Sequence, residues 1–105
     1  HRLEQHINAH LHDSAFDVEA LAQAMHMDRS ALFRHLKQHT AQSPAELLRE
    51  RRLLRAQALL QEGAGSVTEV AFAVGFDTLS GFTRAFRAQF GRPPSEFLAA
   101  ARASA

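Results

Sequence analysis

The sequence contains no cysteine, tryptophan or tyrosine, and its 105 residues include only three prolines and five glycines. Without cysteine, the chain can form neither disulfides nor thiolate metal sites, and it has no cysteine nucleophile. No apolar run approaches the roughly 20 residues that span a bilayer, and no segment resembles a signal peptide, so we expect no membrane association. Because the first residue is His1 rather than methionine, we expect the chain to be part of a longer protein.

The composition is that of an ordinary folded domain. Hydrophobic residues make up 46% and charged residues 22%, a balance that argues against disorder. The formal net charge is only +1, but the charge is unevenly distributed. Residues 1–27 carry −3, residues 28–55 carry +4, residues 56–77 carry −3 and residues 78–105 carry +3. Two basic segments can form one basic face although the total is nearly neutral.

Helix signals occur along the whole chain, and the alternation typical of strands is absent. SPAE (43–46) and SVTE (66–69) are capping boxes, in which a serine and a glutamate satisfy backbone amides at a helix start. PPSE (93–96) begins a further helix, and aspartates at 17 and 28 are N-cap candidates. Together these signals predict an all-α domain of seven helices.

One stretch of the sequence is nearly repeated: DRSALFRHLK (28–37) returns as DTLSGFTRAFR (77–87). The likeness extends from residues 18–48 to residues 67–98, at an offset of 49 that becomes 50 after one inserted residue, Leu79. Helix starts, helix ends and apolar positions all align, which indicates internal duplication. Each copy is predicted to be a short helix, a tight turn and a second helix, which is a helix-turn-helix motif.

The turn residue of each copy supports this interpretation. Gly75 can adopt the left-handed conformation that ends a helix. Its equivalent in the first copy is His26, and histidine is enriched among the uncommon non-glycine residues with positive φ. The following residue, Met27 or Phe76, is expected to pack the second helix against the first. In helix-turn-helix proteins, that second helix enters the DNA major groove.

The long helix between the copies has a suitable length for a spacer. We expect residues 1–42 to be a first helix-turn-helix subdomain, residues 43–62 a linker helix and residues 63–105 a second subdomain. Twenty helical residues span about 30 Å, and successive major grooves on one side of B-DNA lie about 34 Å apart. A rod of this length can hold two recognition helices one DNA turn apart.

Two stretches carry a family resemblance: VEALAQAMHMDRSALFRHLKQHTAQSPAELLRERRLLRAQALL (18–60) and the more specific VTEVAFAVGFDTLSGFTRAFRAQFGRPPSEFL (67–98). Over residues 4–102, the chain resembles the DNA-binding domain of the AraC/XylS family of bacterial transcription regulators. The resemblance implies two helix-turn-helix units in adjacent major grooves of promoter DNA, and activation through contact with RNA polymerase. It also implies a cytoplasmic, nucleoid-associated protein with a separate N-terminal effector-sensing or dimerisation domain.

Candidate DNA contacts follow from this resemblance, position by position. Base-reading residues are expected on the outer faces of the two recognition helices: Ser30, Phe33 and Arg34 in the first, and Leu79, Ser80, Thr83 and Arg84 in the second. The two arginines are the best candidates for guanine, because a guanidinium donates two bonds to O6 and N7. Phosphate contacts are expected from Arg29, Lys37 and Arg87, and at the helix starts formed by Ser43 and Ser66.

Helical spacing independently selects most of the first set. With Leu32 and Leu36 facing inward, positions 30, 33, 34 and 37 point away from the core. Phe33 is unusual on such a face: either it contacts thymine methyl groups or it folds back onto the core. For Arg34 and Arg84, the alternative to reading bases is to neutralise phosphates or to bond to a nearby carboxylate.

Other conspicuous residues have structural interpretations. The linker arginines are expected to be mostly solvated or paired with Glu46 and Glu50, with one facing DNA: Arg49, Arg51, Arg52 and Arg55. Histidines at 6 and 10, like those at 35 and 39, supply only two ligands per pair, so neither a metal site nor a cofactor is expected. Six phenylalanines at helical intervals are expected to form core: Phe72, Phe76, Phe82, Phe86, Phe90 and Phe97.

Sequence-specific binding of double-stranded DNA is therefore the leading hypothesis. The alternative is a helical protein-interaction module that docks RNA polymerase or another partner. An enzyme is not expected, because no segment gathers a nucleophile, a base and oxyanion donors. Salt dependence separates the first two functions, since binding through several phosphates weakens log-linearly with salt.

Overall fold

The computed structural model describes residues 2–104, and within them all regular structure is helical. The helices are α1 (Arg2–His10), α2 (Val18–Ala24), α3 (Arg29–His39), α4 (Pro44–Gln61), α5 (Val67–Ala73), α6 (Leu79–Phe90) and α7 (Pro94–Ala103). The prediction of an all-α, seven-helix fold is confirmed. Among these described residues, no helix combines the length and apolar character needed to cross a membrane.

Side-chain caps fix where the helices begin. Asp17 and Asp28 accept hydrogen bonds from amides in the first turns of α2 and α3, at 3.0 and 2.7 Å. Ser43 and Ser66 form the predicted capping boxes of α4 and α5, and Thr78 caps α6. Each cap satisfies an amide that has no partner within its helix, and such a cap contributes about 1 kcal/mol.

Each helix-turn-helix turn contains one residue with a left-handed backbone. The φ angle is 58° at His26 and 93° at Gly75, at the two positions that the repeat predicts. The amides of the next residues, Met27 and Phe76, donate to carbonyls of the preceding short helix at 2.9 and 3.0 Å. Both turns are therefore closed by the same backbone hydrogen bond, although only one contains glycine.

Two apolar cores share α4. This helix contributes Leu47 and Leu48 to the first core, and Leu53, Ala56 and Leu60 to the second. The first unit (α1–α3) completes one core and the second unit (α5–α7) completes the other. The helix has 18 residues rather than the expected 20, because its flanking serine and glutamate are caps, and it is about 27 Å long. The helix α4 therefore packs into both cores and also connects the two units.

Phenylalanines dominate the second core. Five of the six that were expected there lie in it or pack against it, and the ring of Phe86 lies 4.5 Å from that of Phe90 and 5.2 Å from that of Phe97. The expectation for Phe72 is wrong, because its side chain is 49% exposed. Val70 faces the core in the same short helix, and Phe72 lies roughly 200° around the helix from it.

Candidate nucleic-acid interface

The outer face of α3 is basic and exposed. Ser30, Arg34 and Lys37 are exposed, as is Arg29 at the first position of the helix, while the two leucines on the opposite side are fully buried. Phe33 is 42% exposed, and the Lys37 ammonium lies 5.4 Å from the centre of its ring. Phe33 therefore lies on the outer face of α3 and does not fold back onto the core.

The corresponding face of α6 is similar. Leu79, Ser80, Arg84 and Arg87 are exposed, whereas Thr83 is half-buried beside them. Two phenylalanines on the opposite side of the helix are fully buried in the second core. All residues assigned to DNA contact in the two recognition helices are thus at least partly accessible.

Three shallow grooves connect these two faces. The first contains Arg34 and shares Ala45 with the second, and the second shares Arg49 with the third, which contains Arg84. Arg34 and Arg84 therefore border one continuous surface that crosses the first half of α4. The described chain measures 46 × 25 × 22 Å, so its longest dimension exceeds the roughly 34 Å between successive major grooves on one side of B-DNA.

Arg49 is the linker arginine at the centre of this surface. It is exposed and lines both the second and the third groove. The sequence indicates that one linker arginine faces DNA but does not say which. Ala45, which lines the first and second grooves, is four residues earlier in α4. Arg49 therefore lies on the same side of the helix as Ala45.

The neighbouring arginines have other partners, so the expectation that the linker arginines are mostly solvated or paired with Glu46 and Glu50 is wrong for Arg51 and Arg52. Arg51 binds Glu4 of α1, with 2.6 Å between Nη2 and Oε1. Arg52 donates to backbone carbonyls of the connection between α1 and α2. These partners lie between 36 and 47 residues away in sequence, so local spacing does not indicate them.

The serines proposed at the helix starts are already engaged in capping boxes. The Ser43 amide donates to Glu46 Oε1 at 2.9 Å, and the Glu46 amide donates to Ser43 Oγ at 3.2 Å. The same reciprocal pair joins Ser66 and Glu69. These bonds to serine hold the pKa of each glutamate below its ordinary value.

The histidine pairs are not arranged as metal sites. Across residues 2–104, no group of three or more histidine, aspartate or glutamate side chains is placed to hold a metal ion. His10 stacks on Phe16 with ring centres 4.7 Å apart, and the rings of His35 and His39 lie 4.8 Å apart. The exposed basic surface is thus the main chemical feature of the described chain.

The two helix-turn-helix units share one helix, and their basic recognition helices are exposed along one continuous surface. This arrangement defines a bipartite DNA-binding domain. The chain belongs to the AraC-type helix-turn-helix family. The model of this family, which is described as a helix-turn-helix domain, matches residues 21–100. The transcriptional activator RhaS of Escherichia fergusonii is 38% identical over 94 residues, which are 87% of this chain and 34% of RhaS.

Solved structures agree with this classification. The DNA-binding domain of the global transcriptional factor AdpA, in complex with a target DNA, matches with a TM-score of 0.84 and 36% identity, over 98% of this chain and 95% of that one. A probable AraC family regulator from Rhodopseudomonas palustris matches with a TM-score of 0.80 and 30% identity, over 95% and 94% of the two chains. The predicted resemblance to the AraC/XylS family is confirmed, and a protein-interaction module is not favoured.

The likeness concerns this domain alone. The chain spans 34% of the length of RhaS, so two thirds of that activator have no counterpart here.

Proposed function

We propose that this chain is the DNA-binding part of a transcription activator that recognises promoter DNA, with α3 and α6 in adjacent major grooves. The observation that carries this proposal is the continuous surface between Arg34 and Arg84. A continuous surface that borders both basic recognition helices suits two grooves on one face of the duplex. The similarity to RhaS supports the activator role.

Base reading is assigned to the exposed residues of the recognition helices. Arg34 and Arg84 donate to guanine O6 and N7, because neither has a carboxylate partner within the described chain and both are exposed. The remaining base-reading residues contact neighbouring base edges, with apolar contact to thymine methyl groups where the side chain is apolar: Ser30, Phe33, Leu79, Ser80 and Thr83.

Phosphate contacts fix the register of the domain on the duplex. Arg29, Lys37 and Arg87 are exposed basic residues of the two recognition helices, and the helix starts at Ser43 and Ser66 contribute their exposed backbone amides. We add Arg49 to this set, because its position between the two recognition helices faces the backbone that separates the two grooves.

The wider setting follows from the family. The domain consists of two DNA-reading subdomains, residues 1–42 and residues 63–105. The linker helix at 43–62 joins them. We propose that the domain acts in the bacterial cytoplasm at the nucleoid, contacts RNA polymerase when bound, and is attached to an N-terminal effector or dimerisation domain. Because its chemistry is recognition, no enzymatic activity is assigned to it.

Selection of bound duplexes from a random pool tests this proposal. We expect a bipartite motif with two conserved segments about one DNA turn apart. For the selected duplex, log K should fall linearly with log salt, by about 0.9 for every phosphate neutralised. Absence of an enriched motif, or affinity that is independent of salt, would contradict DNA recognition.

A further inference from the structure

Arg52 lies near the middle of α4 and binds the backbone of the first unit. Its Nη2 donates to the carbonyls of Asp13 and Phe16, each at 2.8 Å, and its Nε donates to the carbonyl of Leu11 at 3.3 Å. All three acceptors belong to the connection between α1 and α2. One planar guanidinium therefore holds this connection against the linker helix.

The same guanidinium also touches the second unit. A β-carbon placed on Gly75, in the second helix-turn-helix turn, would lie 2.8 Å from Arg52 Nε and would overlap the Leu11 carbonyl oxygen. Gly75 is buried, and Phe76 beside it lines the groove that also contains Arg52. The turn that positions α6 thus rests directly on Arg52 and its partner carbonyl.

Charges from both units surround this group. Burial lowers the pKa of the Arg52 guanidinium, while the carboxylates of Asp13, Asp17 and Asp77 oppose that shift. Two of these aspartates belong to the first unit, and Asp77 lies just before α6 in the second. Arg51, the preceding residue, pairs within residues 2–104 with Glu4 alone, and this pair joins α4 to the first unit.

We propose that Arg52 is a positioning residue that fixes the orientation of the second helix-turn-helix unit relative to the first, and thereby the half-site spacing that the domain accepts. The residue is placed where three segments meet: α4, the connection after α1 and the turn before α6. This inference rests on the proposed function for its effect on DNA, but its effect on orientation can be measured without DNA.

The orientation is measured with spin labels on the two recognition helices. The full 105-residue chain has no cysteine, so Gln38→Cys and Gln89→Cys, both exposed, provide two defined attachment points on α3 and α6. Pulsed electron paramagnetic resonance then gives the distance distribution between them. We expect one narrow distribution in this labelled parent and in Arg51→Ala, and a broadened or displaced one in Arg52→Ala and Arg52→Lys.

DNA spacing provides the second readout. Unlabelled variants bind duplexes with both half-sites at the selected spacing, and at spacings changed by one or two base pairs. The unsubstituted chain should lose about tenfold or more in affinity at altered spacings, because a rigid pair cannot engage both half-sites. In Arg52→Ala most of this discrimination should disappear, while affinity for a single half-site stays within about twofold.

Unchanged distance distributions and unchanged spacing discrimination in the Arg52 variants would overturn the proposal. If circular dichroism shows that Arg52→Ala does not fold, Arg52→Lys decides by the same two criteria, since it keeps the charge and the stem but lacks the planar fork. If the unsubstituted chain does not bind two half-sites, the proposed function fails, and the distance distributions alone decide the role of Arg52.

Discussion

Gly75 and Leu11, which belong to different helix-turn-helix units, are in backbone contact: no room exists for a β-carbon on Gly75, because it would overlap the Leu11 carbonyl oxygen. The two units of the repeat are therefore joined by more than the helix that runs between them. Direct backbone packing leaves little freedom for one unit to rotate against the other, which suits a protein that addresses two sites on one rigid duplex.

Substitution of Gly75 should be unusually costly. In Gly75→Ala, the alanine must adopt a φ of 93° and must also displace the Leu11 carbonyl. We expect a loss in the free energy of unfolding that exceeds the roughly 1–3 kcal/mol of backbone strain alone. Gly91→Ala is the matched control, because Gly91 has a φ of 78° and nothing within 4 Å of the added carbon. Equal losses in urea denaturation of the two variants would contradict the packing described.

The second core provides a comparison between two phenylalanines. Phe86 is fully buried, whereas Phe72 is 49% exposed. Phe86→Ala should lower the free energy of unfolding by about 3–5 kcal/mol, because it leaves a cavity. Phe72→Ala should lower it by less than about 1 kcal/mol, as expected for a surface position. Urea denaturation followed by circular dichroism measures both, and a reversed order would show that the inward face of α5 is misassigned.

The recognition arginines should act on separate base pairs. Arg34→Ala and Arg84→Ala should each weaken specific binding by about 1–3 kcal/mol and relax the preference at one position of the site. The affected positions should lie in different halves of the motif, because the arginines belong to different recognition helices. Wild-type base preferences in both variants, measured by selection on randomised sites, would remove these residues from the base-reading set.

Lys37 should contribute charge without sequence preference. Lys37→Ala should weaken binding to all sequences by a similar factor and reduce the salt slope by about 1. Arg102→Ala serves as the control, because this exposed residue lies in α7, outside both recognition helices, and should leave the slope unchanged. Filter binding at several salt concentrations gives the slopes. A sequence-dependent loss in Lys37→Ala would assign this residue to base contact instead.

The capping box of α5 should make stability depend on pH. The Ser66 amide bonds to the Glu69 carboxylate and lowers its pKa in the folded state. This stabilisation is fully present above the carboxyl group's usual pKa of about 4.3 and is lost as the pH falls through the lower folded-state value. Glu69→Gln should therefore be less stable than wild type at pH 7, with a difference that narrows in acid.

The control for this experiment is Glu96→Gln. Glu96 also lies in the first turn of a helix, but α7 has no side-chain cap. Its substitution reports the effect of a charge near a helix start without a capping box. A difference for Glu69→Gln that stayed constant between pH 7 and pH 3, in urea denaturation, would contradict the assigned titration.

Features that depend on neighbours in sequence could be predicted well. The capping boxes use residues three apart, and the left-handed turn at His26 and Gly75 is fixed by the backbone geometry of each repeat. The exposed face of α3 follows from helical spacing alone. These local rules were sufficient for seven helices and for both recognition helices.

Features that depend on how the units dock could not be predicted in this way. Arg52 and Arg49 are alike in sequence, yet Arg52 donates to distant backbone carbonyls beside the second groove, whereas Arg49 is exposed and lines two grooves. This difference depends on which side of α4 each unit covers. Local spacing in the sequence does not contain that information. Phe72 is exposed although phenylalanines recur at helical intervals along the whole second half. The reason is that α5 has only seven residues and buries only one side.

In the proposed complex, α3 and α6 occupy two major grooves on the same face of one duplex. Methylation of guanine N7 blocks the major-groove contact of an arginine, so methylation interference on the selected duplex locates each reading helix. We expect two clusters of interfering guanines, centred about 10 base pairs apart and lost separately in Arg34→Ala and Arg84→Ala. A single cluster, or two clusters on opposite faces of the duplex, would contradict it.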